Sequence, residues 1–344
     1  MDQKKIKIFL AAFLNFPNAQ NINCLSISKY LDHSKFSLYS LNTHFGPKIN
    51  TKAHLFHCFF PFKVSSFIGF ILGVIRCNVI YIPKHRTFPV WVIPFFRFFG
   101  KKFFTTIERN MCDSQNESMT KTFGGEEKLN KYFSYFNNIF GITKYIVANS
   151  NCGVNINNVP LNLGVEVDSF SYFKRTKLTN IVFIGNLIKR KKVNEFIDLA
   201  EEFPNLCFHI IGDGPQLKTL KSTASSNVTF HGSLNHSLLT NHLMNMDLLF
   251  LPSRSEGFPK VILEAAASGI PSIVYSDYGA SSWIANNKNG FVVDSFPDAV
   301  NILNKLVNNS NLLSKVSEGS YYMAKKFDWK NIIKQWEEVI NNLK

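Results

Sequence analysis

The chain has 344 residues, too many for one hydrophobic core and enough for two domains. Its 45% apolar and 18% charged content excludes a disordered chain, and six cysteines without C-x-x-C spacing exclude a disulfide framework or zinc ribbon and fit a reducing cytosol. The net charge of +14 is lopsided: residues 1–160 hold 19 Lys and Arg against 7 Asp and Glu, whereas residues 161–344 hold 19 against 17.

The chain opens MDQKKIKIFLAAFLNFPNAQ. The basic start and short apolar run have the makings of a signal peptide, but no small-residue cleavage site follows, so IKIFLAAFL (6–14) reads as a first strand. FSLYSL (36–41), HLFHCFF (54–60), NVIYIP (78–83), KFFTTI (102–107) and KYIVAN (144–149) continue the series. Between them lie FFPFKVSSFIGFILGVIRC and FPVWVIPFFRFFGKKFF, apolar stretches broken by single basic residues. Neither reaches the ~20 residues of a membrane span. Their middle portions read as buried helices, with Lys63, Arg76, Arg97, Lys101 and Lys102 placed to face acidic headgroups at an interface. A basic surface of this kind attracts phosphates, and no nucleic-acid motif accompanies it, so an anionic membrane surface is the expected partner and nucleic acid is not.

Residues 159–180, VPLNLGVEVDSFSYFKRTKLTN, lack periodicity and read as the domain junction. After it come NIVFIG (180–185), LCFHIIG (206–212), NVTFHG (227–232), DLLFLP (247–252) and PSIVYS (271–276) as strands. A terminal helix repeats Trp329, Ile332, Ile333, Trp336, Ile340 and Leu343 at helical spacing. Strands alternating with helix-length segments predict an α/β fold with parallel sheets covered on both faces. The expected division is 1–160, 161–320, and terminal helices over 321–344 that pack back toward the first domain.

Three loops stand out, each following an expected strand: GNLIKRKKV from Gly185, GDGPQ from Gly212, and SRSEGFPK from Ser253. In an open parallel sheet the loops at the carboxyl ends of strands line the ligand crevice, so all three belong to one edge. In SEGFPKVILEAAASGIP, Pro259 suits the first helical position, Gly269 a C-terminal cap, and Gly257 a close backbone approach to a ligand. The free amides at this helix start favour a phosphate. Glu264 falls among Val261, Ile262, Leu263, Ala265, Ala266 and Ala267, where a carboxylate needs a partner. That partner is either a ribose diol or Lys260 one turn earlier. The run Lys189–Lys192 is either a solvated face or part of the site. GDGP, with Gly212 and Gly214, lacks the third glycine of a dinucleotide fingerprint, and no P-loop is present. Glu166 and Asp168 have no third ligand nearby, no D-x-D occurs, and nine histidines show no metal-ligand spacing, so no metal is expected.

SRSEGFPKVILEAAASGIPSIV closely resembles the donor-site block E-G-F-x-x-x-x-x-E-A-x-A-x-G-x-P of family 4 retaining glycosyltransferases. IVFIGNLIKRKKVNEFIDLA, FHIIGDGPQLKTL and GVEVDSF resemble further segments of that family, over roughly residues 145–300. The resemblance implies the GT-B fold, two Rossmann-like domains with parallel sheets facing across a cleft. The second domain would bind a nucleotide-diphosphate sugar, with no other cofactor, and the first a lipid-linked or glycan acceptor. By the same resemblance Glu264 would bond the ribose hydroxyls and Glu256 would sit by the transferred sugar. The amides of Phe258 and Lys260 would hold the diphosphate, Pro259 having none to give, and Lys191 would neutralise it as it leaves. Helix termini and a lysine would thus replace a metal.

The chain also departs from the family. Asn186 stands where the family has an arginine, whose role could pass to Arg190; NFPNAQNIN replaces a Gly-Gly loop; and Glu108 stands in place of a histidine, with His85 as a substitute. The implied function is sugar transfer in cell-surface glycan synthesis, in the cytoplasm on the inner face of the plasma membrane. The alternatives are a non-catalytic sugar-nucleotide or glycan-binding protein of the same fold and a sugar-nucleotide 2-epimerase.

Overall fold

The structure is a computed structural model that describes residues 5–16, 18–83, 88–109, 111, 119–150 and 153–343. It divides into two compact units, residues 1–163 with 329–344, and residues 164–328. Each carries one six-stranded, all-parallel sheet.

In the first unit the strands are β1 (Ile6–Phe13), β2 (Phe36–Thr43), β3 (His54–Cys58), β4 (Val79–Ile82), β5 (Lys102–Ile107) and β6 (Asn138–Gly141), in the order β3-β2-β1-β4-β5-β6. β4 is buried along its whole length and β1 along all but its start, as expected where helices cover both faces of a sheet. KYIVAN, expected as the sixth strand, is instead a helix, Lys144–Asn149. Thr143 caps it, accepting from the Ile146 amide at 3.1 Å, and the sixth strand is the preceding NIFG. The terminal helix Trp329–Leu343 belongs to this unit. Its Trp336 lies fully buried against Tyr81, ring centroids 5.1 Å apart, and donates its indole N–H to the Asn162 carbonyl at 2.9 Å.

The second unit holds β7 (Asn180–Ile184), β8 (Cys207–Ile211), β9 (Val228–Gly232), β10 (Leu248–Leu251), β11 (Ser272–Tyr275) and β12 (Phe291–Val293), in the order β12-β11-β10-β7-β8-β9. Counted from its own first strand, this is the order of the first unit again. β12 follows Gly290 and has only three residues, too short a run to stand out in the sequence. The core is built on Phe196, which meets Phe208, Phe183 and Phe250 at 5.3, 6.0 and 6.3 Å between ring centroids. Val165, Val167 and Phe170 are buried in this core, so the expected junction segment is packed protein rather than a solvated linker.

Candidate active site

In both units the strand order reverses beside the first strand, the place where an open parallel sheet offers a ligand crevice at the carboxyl ends of its strands. In the second unit the reversal lies between β7 and β10. The loop after β7 carries Gly185 to Lys191, and the loop after β10 carries Ser253 to Pro259. Two of the three segments singled out in the sequence therefore flank the switch point itself.

Their side chains meet. Lys191 Nζ donates to Glu256 Oε1 in a short ion pair, and Arg190 Nη1 approaches the same oxygen at 3.3 Å. Arg190 also donates to the Ser255 carbonyl, while the Ser253 hydroxyl donates to that carbonyl at 3.2 Å. Lys191 and Glu256 are only 12% and 9% exposed at their side chains, so the pair lies out of bulk water, where removing one partner strands the other's charge. Burial pushes the Lys191 ammonium below its ordinary range, and the Glu256 charge opposes that shift. Lys191 ends a single 3-10 turn, Lys189–Lys191, and Lys192 follows in a left-handed conformation at φ 47°. Lys189 is exposed, and Lys192 pairs with Glu195 at 2.9 Å.

Helix Lys260–Ala267 starts directly beyond, with Pro259 at its N-cap rather than at the first helical position. The first-turn amides of a helix have no carbonyl four residues earlier to bond. Phe258 pins the loop, its ring 5.4 Å from Trp283 and 5.3 Å from Phe327. At the far end Gly269, φ 78°, closes the helix as expected. Glu264 sits part-buried in the second turn of this helix. Burial raises its carboxyl above the ordinary 4.5, and the nearby positive charges of Lys260 and His236 oppose that shift.

The glycines of GDGP are structural wedges. A Cβ on Gly212 would stand 1.9 Å from the Gly185 carbonyl oxygen, and one on Gly214 would stand 2.6 Å from the Leu187 carbonyl oxygen. The two loops are stitched by Gly185 N to Ile211 O at 3.0 Å, Leu187 N to Asp213 O at 2.9 Å and Gln216 N to Leu187 O at 3.1 Å. The GDGP turn holds the Lys191 loop in place. Asn186, at the tip of that loop, is exposed. Gly257 is part-exposed in the loop between β10 and the helix.

Sequence reasoning missed a second layer. Glu195 joins Lys192 to the Tyr275 hydroxyl, Arg254 lies over the Tyr275 ring at 3.7 Å, and Arg254 pairs with Asp277 at 3.0 Å. These residues come from three separate segments, 192–195, 254 and 275–277, and no local spacing links one segment to another.

In the first unit Glu108 lies at the end of β5, where Gln20 of the first helix reaches it at 3.5 Å. His85 lies outside the described residues. The loop after β1 is tied down by Asn15, which accepts from the Thr43 amide and donates to the Thr43 carbonyl, each at 2.7 Å.

Residues 165–323 match the family described as glycosyl transferases group 1. An uncharacterized glycosyltransferase of Haemophilus influenzae is 27% identical over 180 residues, 48% of this chain and 51% of that protein. The UDP-Gal:alpha-D-GlcNAc-diphosphoundecaprenol alpha-1,3-galactosyltransferase of Escherichia coli is 28% identical over 185 residues, 45% of this chain and 46% of that one. The chain thus spans about half the length of these curated relatives. Among solved structures, sucrose-phosphate synthase of Thermosynechococcus elongatus superposes with a TM-score of 0.80 at 13% identity, covering 98% of this chain and 99% of that one. HepE of Anabaena in complex with UDP-glucose gives 0.77 at 15% identity, with 98% and 100% covered. At these identities the likeness establishes the two-domain GT-B fold alone. The match to the group 1 glycosyl transferases thus lies in the second unit, the one that carries this switch-point site.

Proposed function

We propose that the protein is a retaining, metal-independent glycosyltransferase. It moves a hexose-type sugar from a nucleotide-diphosphate donor to a lipid-linked or glycan acceptor at the cytoplasmic face of the plasma membrane, in cell-surface glycan synthesis. The observation that carries this reading is the meeting of Lys191 and Glu256 where the strand order reverses, directly before the start of helix Lys260–Ala267.

The roles follow from charge and position. As the bond from the sugar's anomeric carbon to the diphosphate breaks, negative charge grows on the departing phosphate. Lys191 and Arg190 supply the opposite charge in a site largely shielded from water, where it is worth most. The amides of Phe258 and Lys260 hold the diphosphate at the helix start. Glu264 accepts from the ribose hydroxyls, a neutral partner that leaves its raised carboxyl free to ionise. Glu256, released from Lys191 as that lysine turns to the phosphate, is left beside the sugar. On the acceptor side Glu108 and His85 are the candidates. A lipid-linked acceptor is supported by the Escherichia coli relative, whose name specifies a diphosphoundecaprenol acceptor.

The test is release of free nucleoside diphosphate from a panel of UDP-, GDP- and ADP-sugars, with membrane extract as acceptor source. One donor should support release that depends on the extract and is lost in Lys191→Ala. Tight binding of a sugar nucleotide with no release, whatever the extract, would establish the non-catalytic reading instead. Conversion of the donor to its 2-epimer would establish the epimerase.

A further inference from the structure

The helix Phe62–Arg76 is inside out. Its sheet-facing side is Ser65, Ser66, Gly69, Phe70, Gly73 and Val74, all buried. A Cβ on Gly73 would stand 2.4 Å from the Phe9 ring and one on Gly69 2.5 Å from Leu41 Cδ2, so the helix lies close on the sheet because it presents small residues there. The bulky residues Val64, Phe67, Ile68, Leu72 and Ile75 recur at helical spacing on the opposite side, and all are exposed. This overturns the expectation of a buried helix. The stripe continues through Trp91, 67% exposed, whose ring stacks on Phe67 at 6.3 Å, and a neighbouring helix, Ile93–Phe98, sends out Phe95 and Phe98, the latter 87% exposed. A monomer seldom exposes an apolar surface of this kind without a use for it.

Charge says what covers it. From residue 33 to 107 the sequence has ten Lys or Arg and no Asp or Glu. A second copy of this face would therefore meet like charge. Beside Phe98 a shallow pocket of about 430 Å³ is lined by Pro94, Arg97, Gly100, Lys101, Lys102 and Asn137. Two of its cations are partly engaged: Lys101 Nζ donates to the carbonyls of Ile75 and Cys77 at 2.8 and 2.7 Å, and Arg97 to that of Tyr135 at 3.0 Å. Burial pushes the Lys101 ammonium below its ordinary range, and the charge of Lys7 adds to the push. Lys102 and Lys63 stay exposed.

We propose that this face docks on an anionic membrane. The stripe and the Trp91–Phe98 cluster enter the headgroup layer, and an anionic lipid headgroup seats in the pocket of Arg97, Lys101 and Lys102. Insertion and charge act together, so part of the binding outlasts high salt. The inference rests on this surface alone and stands or falls independently of sugar transfer.

The test is sedimentation of the full chain with vesicles of phosphatidylcholine alone and of phosphatidylcholine and phosphatidylglycerol in equal parts, at low and high salt. The chain should sediment with the anionic vesicles and shift its tryptophan emission to the blue, a shift that Trp91→Phe abolishes. Phe98→Glu should weaken binding by about tenfold or more. Lys102→Glu should weaken it by about fivefold at low salt and less at high salt. Both substitutions are at exposed positions, and an unchanged circular dichroism spectrum confirms folding. Failure of the wild-type chain to sediment, or unaltered binding by Phe98→Glu, would overturn the proposal. So would a dimer that Phe98→Glu disperses without any vesicle binding, which would give the face to a second copy.

Discussion

The two units share one strand order and differ in almost everything hung upon it. In the second, the loops flanking the reversal bring Lys191, Arg190 and Glu256 to one point, a charged cluster set before a helix start. In the first, the loop after β1 is fastened by neutral hydrogen bonds from Asn15 to Thr43, and the outer surface carries the charge instead. Topology provides a switch point in each; the residues in the loops decide what gathers there. The lesson is that charge concentrated over a few ångströms is informative about chemistry, whereas a net charge spread over a surface is informative about where the molecule goes.

The comparison can be broken at its strongest point first. Lys191→Ala should lower kcat by about two to three orders of magnitude while donor affinity falls far less, because its charge matters most as the diphosphate departs. Steady-state kinetics on the donor found in the panel decide this. Wild-type turnover would move the role to Arg190 and dissolve the contrast between the units.

Gly212→Ala should destabilise the second unit by roughly 3 kcal/mol, since the new methyl meets the Gly185 carbonyl and φ of 148° disfavours any side chain. Gly232→Ala shares a positive φ but has open space around it, so it should cost only about 1 kcal/mol. Denaturant melts of the two variants separate a wedge from a mere turn.

Glu264→Gln should weaken donor binding by about 1.5–3 kcal/mol, the worth of a hydrogen bond to a charged group. Titration calorimetry measures it; unchanged affinity would remove ribose from the reading. In the first unit, Asn15→Ala should cost about 1–3 kcal/mol of stability, since it leaves the Thr43 amide and carbonyl without partners. Donor affinity should not change with it, and a loss of affinity would mean the quiet switch point is not quiet.

The smallest effect is on stability against pH. Because the folded chain raises the Glu264 carboxyl above 4.5, that group favours the fold when protonated. Its contribution is full below about pH 4.5 and is lost as pH rises through the higher folded value. Without donor, Glu264→Gln should therefore melt higher than wild type at pH 7, by about 2 °C, with the gain shrinking toward pH 4.5. A gain that does not depend on pH would exclude burial of the charge as its cause.

Most strands were legible because continuous runs such as IVFI and LLFL have one use in a doubly covered sheet. KYIVAN was not, since a six-residue apolar run has no period long enough to choose between strand and helix, and the Thr143 cap settled it. The donor-side cluster was legible as three loops following three strands. The bond between Lys191 and Glu256 needed the strand order, because 65 residues separate them. The Glu195–Tyr275–Arg254 layer left no trace in local spacing. The Phe62–Arg76 helix was misread because its apolar periodicity is that of a buried helix, and periodicity alone does not tell which side faces water.

The interlock of Gly212 and Gly214 with the Gly185–Leu187 loop bears on inheritance as well as on stability. Those glycines answer to the fold, so a relative of this chain is held to them whatever its activity. Lys191 and Glu256 answer to each other instead, and a change at one without the other leaves a largely buried charge unpaired. Within a lineage, the GDGP turn therefore reports the fold, and the lysine–glutamate pair is the place where a change of chemistry would show.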